Sequence, residues 1–519
     1  MSQGTYPLYK GGGLHSSSQA PSSTGDFEDC RGGSIPWEAI ESARANPVWM
    51  GVIASLLAFS AMTVVFLLSN DLLKTLRAFS GKFRTLSLDA GTLVVLLSLS
   101  SVLAIAVGVV LFSRAKGVFL FFLLGSFAVS DALLPGISEA SLAIRYLCIL
   151  LLVSLALCVM PSIVSRGINT IQIWGLLYLA WQVAGLFING YDLPSLLMLP
   201  VQVALFWGIL LGLSTEFDSQ QAYRRFALVV GWTGILLTAF HLSSFALSPQ
   251  PFLAGRFRSY YALPTNFANG YAIFVIAMLW LGLRGERTVA RIAAGGGVLA
   301  GIAMLVLSGT RNSILSIAVG ILVFAAAWPR RIATAGILAT IFIGLVLVTM
   351  GDAFPGLEGI FNRFSKVESS TRQEVWALTW RYIAERPVVG YGIGKAGDVL
   401  GETLQSWEKA EFINTHNAYL GIWLQHGIIG LSLVLVLMGT GLIKGFRTLY
   451  AKTTDSWVRD SLALPLSMFA ALAAGGMFEE YLTSRGSVQQ ITWGMSLMLI
   501  MNAASASRAF LDLEEDENE

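Results

Sequence analysis

Five side chains in this sequence could act together on a phosphorylated substrate: His416, Arg256, Arg258, Arg311 and Arg372. Arginine presents a planar fork of donors that matches the oxygens of phosphate and diphosphate. Imidazole is the side chain that ordinarily exchanges its proton near neutral pH, which suits a general base. Such a base could take the proton from a sugar hydroxyl as that hydroxyl attacks an anomeric carbon, while positive charge holds a departing diphosphate. Taken singly, each arginine has a plainer reading, snorkelling to an interface or pairing with a local acid, and a lone loop histidine is often structural. The adjacent acids Glu479 and Glu480 leave three readings open: orienting His416, pairing with an arginine, or capping a helix. No metal site is expected. The four histidines form no H-E-x-x-H, and Cys30, Cys148 and Cys158 have neither metal-ligand nor redox spacing, so all three are read as unpaired.

The elements that must position these residues follow from composition. Of 519 residues, 55% are hydrophobic and 13% charged, against about 25% charged in an ordinary soluble domain. Mean hydropathy is +0.67. These values exclude a soluble enzyme, a disordered chain and a secreted disulfide scaffold, and they predict an all-α polytopic membrane protein. The net charge of +2 supplies no global field to attract nucleic acid. A spanning helix needs about 20 mostly apolar residues. Such runs lie near 48–69, 90–112, 117–133, 143–160, 169–187, 196–213, 226–246, 265–283, 291–307, 312–328, 332–350, 428–446, 460–478 and 486–504. They predict about fourteen spans, with a range of 12–14. Residues 1–46 hold no apolar h-region, so no cleavable signal peptide is expected. Their Gly, Ser and Pro content predicts a disordered tail, and LDLEEDENE at the other end predicts a solvated acidic one.

Charge placement predicts the direction of the spans. Alternate connections carry Arg114/Lys116, Arg166, Arg224/Arg225, Arg284/Arg287/Arg291, Arg330/Arg331 and Lys444/Arg447/Lys452/Arg459. By the positive-inside rule that face is cytoplasmic, and both termini lie on it. The other face has fewer, among them Arg145, and the segment 70–89, with Lys74, Arg77, Lys82 and Arg84, is the exception. Span interiors are nearly free of charge, unlike those of a transporter, and His241 is read as a polar packing residue. The connection 351–427 is about 77 residues long on the outer face, where helix–helix connections usually take about 2–8. Within it, TRQEVWALTWRYIAERP predicts a helix with Val375, Trp376, Leu378, Thr379, Tyr382 and Ile383 at helical spacing, ended by Pro387 and Gly390. HNAYLGIWLQ is a second short amphipathic candidate. The candidate arginines and His416 therefore share the outer mouth of the bundle.

The same residues carry a resemblance. Residues 363–430 contain RFSKVESSTRQEVWALTWRYIAERPVVGYGIGKA and INTHNAYLGIWLQHGIIG. Arg372, Trp376, Pro387, Gly390, Gly392, His416, Asn417, Tyr419, Leu420, Gly427 and Gly430 fall in the order Arg, Trp, P-x-x-G-x-G, H-N-x-Y-L, G-I-I-G. Upstream lie RFRSYYALPTN and the turn SGTR. Over about 256–446 this resembles the domain shared by O-antigen ligases and the polymerases of lipid-linked surface polysaccharides. The resemblance implies a metal-independent, cofactor-free glycosyltransferase with a GT-C-like helical membrane fold and a periplasmic loop bearing short helices. Its donor would be an oligosaccharide on undecaprenyl diphosphate and its acceptor another glycan. Arg258 and Arg311 would hold the diphosphate; because Thr265 separates Pro264 from Asn266, the choice between Arg256 and Arg258 stays open. Arg372 would add a loop contact, Asn417 and Tyr419 would line the substrate, and His416 would activate the acceptor hydroxyl. Gln425 stands where many members carry an acid, so the orienting acid is expected to be Glu374 or Glu479.

The expected organisation is a tail at 1–46, N-terminal spans at 47–250, a catalytic core at 251–446, C-terminal spans at 447–507 and an acidic tail at 508–519. The expected activity is polymerisation of lipid-linked repeat units at the periplasmic face of a bacterial inner membrane, with a chain-length regulator as a further partner. The larger span count favours that reading over its nearest alternative, ligation of a finished chain to lipid A–core. A flippase or transporter is the remote alternative.

Overall fold

The computed structural model describes residues 116–134, 137–166, 168–190, 193–215, 217, 219–327, 371–403, 415–451, 456–482 and 487–516. The expected tail at 1–46, the spans near 48–69, 90–112 and 332–350, and the basic segment 70–89 lie outside them. Every expected span inside them falls on a helix. These are α1 (Lys116–Val129), α2 (Ile137–Arg166), α3 (Thr170–Asn189) and α4 (Leu193–Val203), which runs on as a π-helical stretch, Ala204–Gly212. Next come α5 (Gln220–Leu247), a two-residue hairpin β1 (Phe252–Leu253) and β2 (Arg256–Phe257), α6 (Pro264–Arg284), α7 (Thr288–Ser308) and α8 (Arg311–Ala326). After the undescribed 328–370 follow α9 (Thr371–Glu385), α10 (Ala396–Thr403), α11 (Ala418–Tyr450), α12 (Ser456–Gly475) and α13 (Val488–Asp516). Five of them, α3, α5, α6, α7 and α11, are long and apolar enough to cross a membrane. The protein is thus a mostly helical, polytopic membrane protein.

Local sequence explains where these helices begin. Asn169 caps α3 by accepting from the Ile171 and Gln172 amides at 2.8 and 3.2 Å, and Gln172 Oε1 returns a bond from the Asn169 amide at 3.0 Å. Ser219 caps α5, and Pro264 occupies the first turn of α6, where its missing N–H costs nothing. Pro200 interrupts the ladder of α4 shortly before the π-helical stretch. The bundle closes through α6, which packs on α5, α7, α8 and α12, and through α13, which packs on α12 and the π-helical stretch. Phe274, Phe469, Trp493 and Leu497 are fully buried at its centre.

Successive helices run up and down, so the ends of α1, α3, α5, α7 and α12 and the starts of α2, α4, α6, α8, α11 and α13 share one end of the bundle. The candidate residues all lie at that end. The opposite end holds the basic groups, including the ion pairs Arg224–Glu286 and Arg284–Asp460, the latter at 2.5 Å. Three details differ from the expectations. Arg145 is a buried side chain within α2, not a loop residue; its Nη1 donates to Ser130 Oγ at 3.1 Å and its guanidinium lies over the Phe127 ring. The short helix at 416–425 and the span expected at 428 are one kinked helix. The acidic end is helical as far as Asp516, since Leu and Glu are good helix formers.

Candidate active site

The turn that carries His416 is fixed from three directions. Asn417 caps α11, accepting from the Tyr419 and Leu420 amides at 2.9 and 3.0 Å. The Ala418 amide donates to Gly476 O at 2.7 Å, and the Tyr419 hydroxyl to Ala473 O at 2.7 Å, tying the turn to the end of α12. From the long loop, Trp376 Nε1 donates to Thr415 O at 2.9 Å. His416 itself has φ +48°, the left-handed region that a residue with a Cβ enters at a cost. A strained backbone held by this many bonds is the kind of feature found at functional sites.

The segment after α12 brings the acids. Glu479 Oε2 stands 4.0 Å from His416 Nδ1, and Glu479 Oε1 stands 3.3 Å from an Arg372 Nη. The Glu479 side chain is 17% exposed and that of His416 35%, so the acid is shielded while the imidazole stays reachable. Of the two acids expected beside the histidine, Glu479 occupies that place, and Glu374 is exposed on the first turn of α9. Tyr481 donates its hydroxyl to Leu472 O; burial and the neighbouring Tyr419 push its ionisation well above the ordinary range, so it remains a donor.

The loop that carries Trp376 docks on the kink of α11. Gly427 adopts φ 65°, ψ −174°, and its Cα lies so near Val388 that a Cβ would run into the Val388 carbonyl. The break frees three successive carbonyls, and each finds a donor: Leu424 O from the Tyr391 amide at 2.9 Å, Gln425 O from Gly392 at 2.8 Å, and His426 O from Trp181 Nε1 at 2.8 Å. In return the Ile428 amide donates to Pro387 O at 2.8 Å. The P-x-x-G-x-G and G-I-I-G elements are two halves of one interlock. The apolar face of α9 read from its spacing also holds, with Val375, Thr379 and Ile383 buried.

The arginines divide. Arg256, on β2, donates from Nε to Ser308 O at 2.7 Å and from Nη2 to Thr310 Oγ1 at 3.2 Å, so it braces the SGTR turn. The hairpin that presents it is formed by Ala254 and Gly255, both at positive φ. Arg258 donates to Gln250 O at 3.0 Å and to Ala262 O at 3.3 Å, within its own loop. Below that loop, buried His241 meets Ser259 Oγ through Nδ1 at 3.0 Å, which agrees with a packing role. Arg311 is exposed at the first residue of α8. One residue on, Asn312 donates from Nδ2 to Asn269 Oδ1 at 3.3 Å, and Ser313 donates to the same oxygen at 2.7 Å. A Cβ on Gly475 would lie 2.6 Å from Ser316 Oγ and 3.8 Å from Asn312 Oδ1. The end of α12 therefore separates two clusters: the Arg256–Arg311 turn on one flank and the His416–Glu479–Arg372 group on the other.

Asn417 and Tyr419, expected to line the substrate, use polar atoms to hold the turn. Glu480, one of the two adjacent acids for which orienting His416 was an open reading, forms a bonded group beneath it with Thr415 and Gln425, two residues given no role in the site from sequence. The adjacent pair Glu479-Glu480 after an apolar span was the available signal. Among the described residues no three His, Cys, Asp or Glu side chains gather where they could hold a metal ion.

Fold and site define a helical membrane protein with a histidine–carboxylate–arginine group at one end. Residues 296–435 match the family model described as O-antigen ligase. The chain is also similar to the O-antigen ligase of Salmonella typhimurium (strain LT2), 27% identical over 154 residues, which take in 28% of this chain and 38% of that protein. Over this region the chain is similar to the O-antigen ligase family, in line with its motifs. The alignment spans well under half of the relative's length. The segment 296–435 that matches the family model contains Arg311, Arg372 and His416; Arg256, Glu479 and Glu480 lie outside it.

Proposed function

We propose that this chain is a glycosyltransferase of the O-antigen ligase type, moving a glycan from a lipid diphosphate to an acceptor hydroxyl in a membrane. The observation that carries the reading is the His416–Glu479–Arg372 group, at the same end of the bundle as the Arg311 turn and across the end of α12 from it. In this mechanism His416 takes the proton from the acceptor hydroxyl as its oxygen bonds to the anomeric carbon. The bond from that carbon to the diphosphate oxygen breaks, and the lipid diphosphate leaves with the electron pair. Glu479 stabilises the imidazolium as it forms, and Arg372 offsets the carboxylate's charge. Arg311, braced by Arg256, meets the charge that develops on the leaving diphosphate. Arg258 supports the same loop. The donor is read as an undecaprenyl diphosphate-linked oligosaccharide, in keeping with the motifs, and its diphosphate is already a competent leaving group.

The expectation of a polymerase yields here to a ligase, because the family description and the relative both carry the ligase's name. The two share donor chemistry and differ in acceptor. We also place the protein in the bacterial inner membrane with the site end facing the periplasm, supported by the basic groups at the opposite end. The test is a deletion strain complemented with wild type or His416→Ala, its surface glycan resolved by size. For a ligase, the variant leaves long chains on the lipid carrier. Single repeat units on the normal anchor would instead identify a polymerase. A normal profile would reject the general-base mechanism.

A further inference from the structure

Beneath His416 lies a carboxylate–carboxamide pair that none of the chemistry above uses. Glu480 Oε2 accepts from the Thr415 amide and from Thr415 Oγ1, both at 2.7 Å. Glu480 Oε1 accepts from Gln425 Nε2 at 3.0 Å. The other end of that carboxamide, Gln425 Oε1, accepts from the Gly394 amide at 2.7 Å. Four bonds thus run in one line, from the residue before His416, through Glu480 and Gln425, to the loop segment between α9 and α10. The carboxylate reaches this place only because Gly421 has no side chain: a Cβ there would lie 2.8 Å from Glu480 Cδ and 2.9 Å from Thr415 Oγ1. The segment that carries Glu480 is held from the bundle interior as well. Leu482 O accepts from Gln490 Nε2 at 2.9 Å and from Gln202 Nε2 at 3.3 Å, and both glutamines are buried.

We propose that Glu480 is the positioning residue of this site: through Gln425 and Thr415 it fixes the left-handed turn that aims His416. The proposal rests on the reading of His416 as the base. It follows from how donors and acceptors alternate. The Thr415 amide is a fixed donor, so residue 480 must present an acceptor to it; the Thr415 hydroxyl shares its one proton between that acceptor and Asn417 O, 2.8 Å away. Gly394 offers one donor, so residue 425 must present an acceptor to that. Between residues 480 and 425 one donor must meet one acceptor. A carboxylate at one position and a carboxamide at the other satisfy every bond. Two carboxamides leave two N–H groups, or an N–H and an amide donor, facing each other however they are flipped. Two carboxylates place two acceptors, and two negative charges, about 3 Å apart. The arrangement with acid and amide exchanged satisfies all four bonds again.

The experiment uses the full-length purified protein and compares wild type, Glu480→Gln, Gln425→Glu and the double variant Glu480→Gln/Gln425→Glu. Two readouts are taken: kcat and KM for glycan transfer from the lipid diphosphate donor, and the rate at which diethyl pyrocarbonate modifies His416, followed by peptide mass spectrometry. Each single substitution is expected to lower kcat at least tenfold with donor KM within twofold, and to change the His416 modification rate at least threefold. The double variant is expected to return both to within threefold of wild type. Single variants with unchanged kcat and unchanged His416 reactivity overturn the proposal. So does a double variant no better than the worse single, or one that recovers thermal stability without recovering kcat and His416 reactivity. If the single variants do not fold, the double variant decides: near-wild-type values support the pair, and a tenfold loss rejects it. Failure of the functional reading looks different. Wild type would then show no transfer, or His416→Ala would retain it, while the His416 modification rates still report whether the pair positions the turn.

Discussion

His416 combines a reachable imidazole with a backbone at φ +48°, and the two properties can be separated by substitution. His416→Ala is expected to lower the transfer rate about 10²–10⁴-fold, the range of general-base catalysis. His416→Gly removes the same imidazole but also relieves the left-handed backbone. It should therefore be as inactive as His416→Ala, yet more stable than it by about 1 kcal/mol, read as a higher midpoint in thermal unfolding in detergent. Equal midpoints for the two would mean the turn carries no strain. Glu479→Gln keeps the shape beside the imidazole and removes the charge that stabilises its protonated form. A loss of about tenfold in kcat is expected, with little change in donor KM.

The elements around the site are joined by backbone hydrogen bonds as well as by an apolar cluster of Val375, Ile383, Ala396, Leu400 and Leu424. Gly427→Ala would put a Cβ into the Val388 carbonyl at a positive φ. Strain and overpacking together should cost about 3 kcal/mol or more. The loss should appear as release of the 387–392 segment, measured by faster hydrogen exchange at Tyr391 and Gly392, whose amides bond Leu424 O and Gln425 O. Tyr481→Phe deletes the bond to Leu472 O and keeps the ring. About 1 kcal/mol of stability should be lost, and transfer should fall less than it does with Glu479→Gln. The contrast matters because both residues sit on the same short segment after α12: one straps it down, the other faces the histidine.

Across the whole molecule, the up-and-down order of the helices gathers every candidate residue at one end and the Arg224, Arg284 and Asp460 ion pairs at the other. If the basic end is cytoplasmic, a membrane-impermeant maleimide applied to intact spheroplasts should label Asp398→Cys, exposed on α10, and not Glu286→Cys, exposed between α6 and α7. Both variants need a background in which Cys30, Cys148 and Cys158 are replaced. The reverse labelling would invert the topology and put the site on the wrong side for a periplasmic transferase.

Much of this protein is legible in one dimension. Apolar runs of spanning length locate α1 to α8 and α11 to α13 because the bilayer forces each span to satisfy its own backbone bonds. The helical spacing of Val375, Thr379 and Ile383 likewise predicts α9 and its buried face. The turn His416-Asn417 and the SGTR turn stand out because each sets an ionisable side chain at the end of an apolar segment. Other features depend on the packed chain. That Arg256, not Arg258, braces the SGTR turn depends on a two-residue hairpin with no periodicity to read. The choice of Glu479 over Glu374 as the acid beside His416 depends on α12 ending against α11, across 63 residues of chain. That Asn417 Oδ1 caps α11 and the Tyr419 hydroxyl reaches Ala473 O is likewise visible only in the packed chain. Sequence by itself determined where the apolar helices and α9 lie, though not α10, and which residues could do chemistry, since those follow from local hydropathy and side-chain type. Only the tertiary structure decided which acid meets which base, because a hydrogen bond between residues distant in the chain depends on how helices pack, and packing is a property of all of them at once.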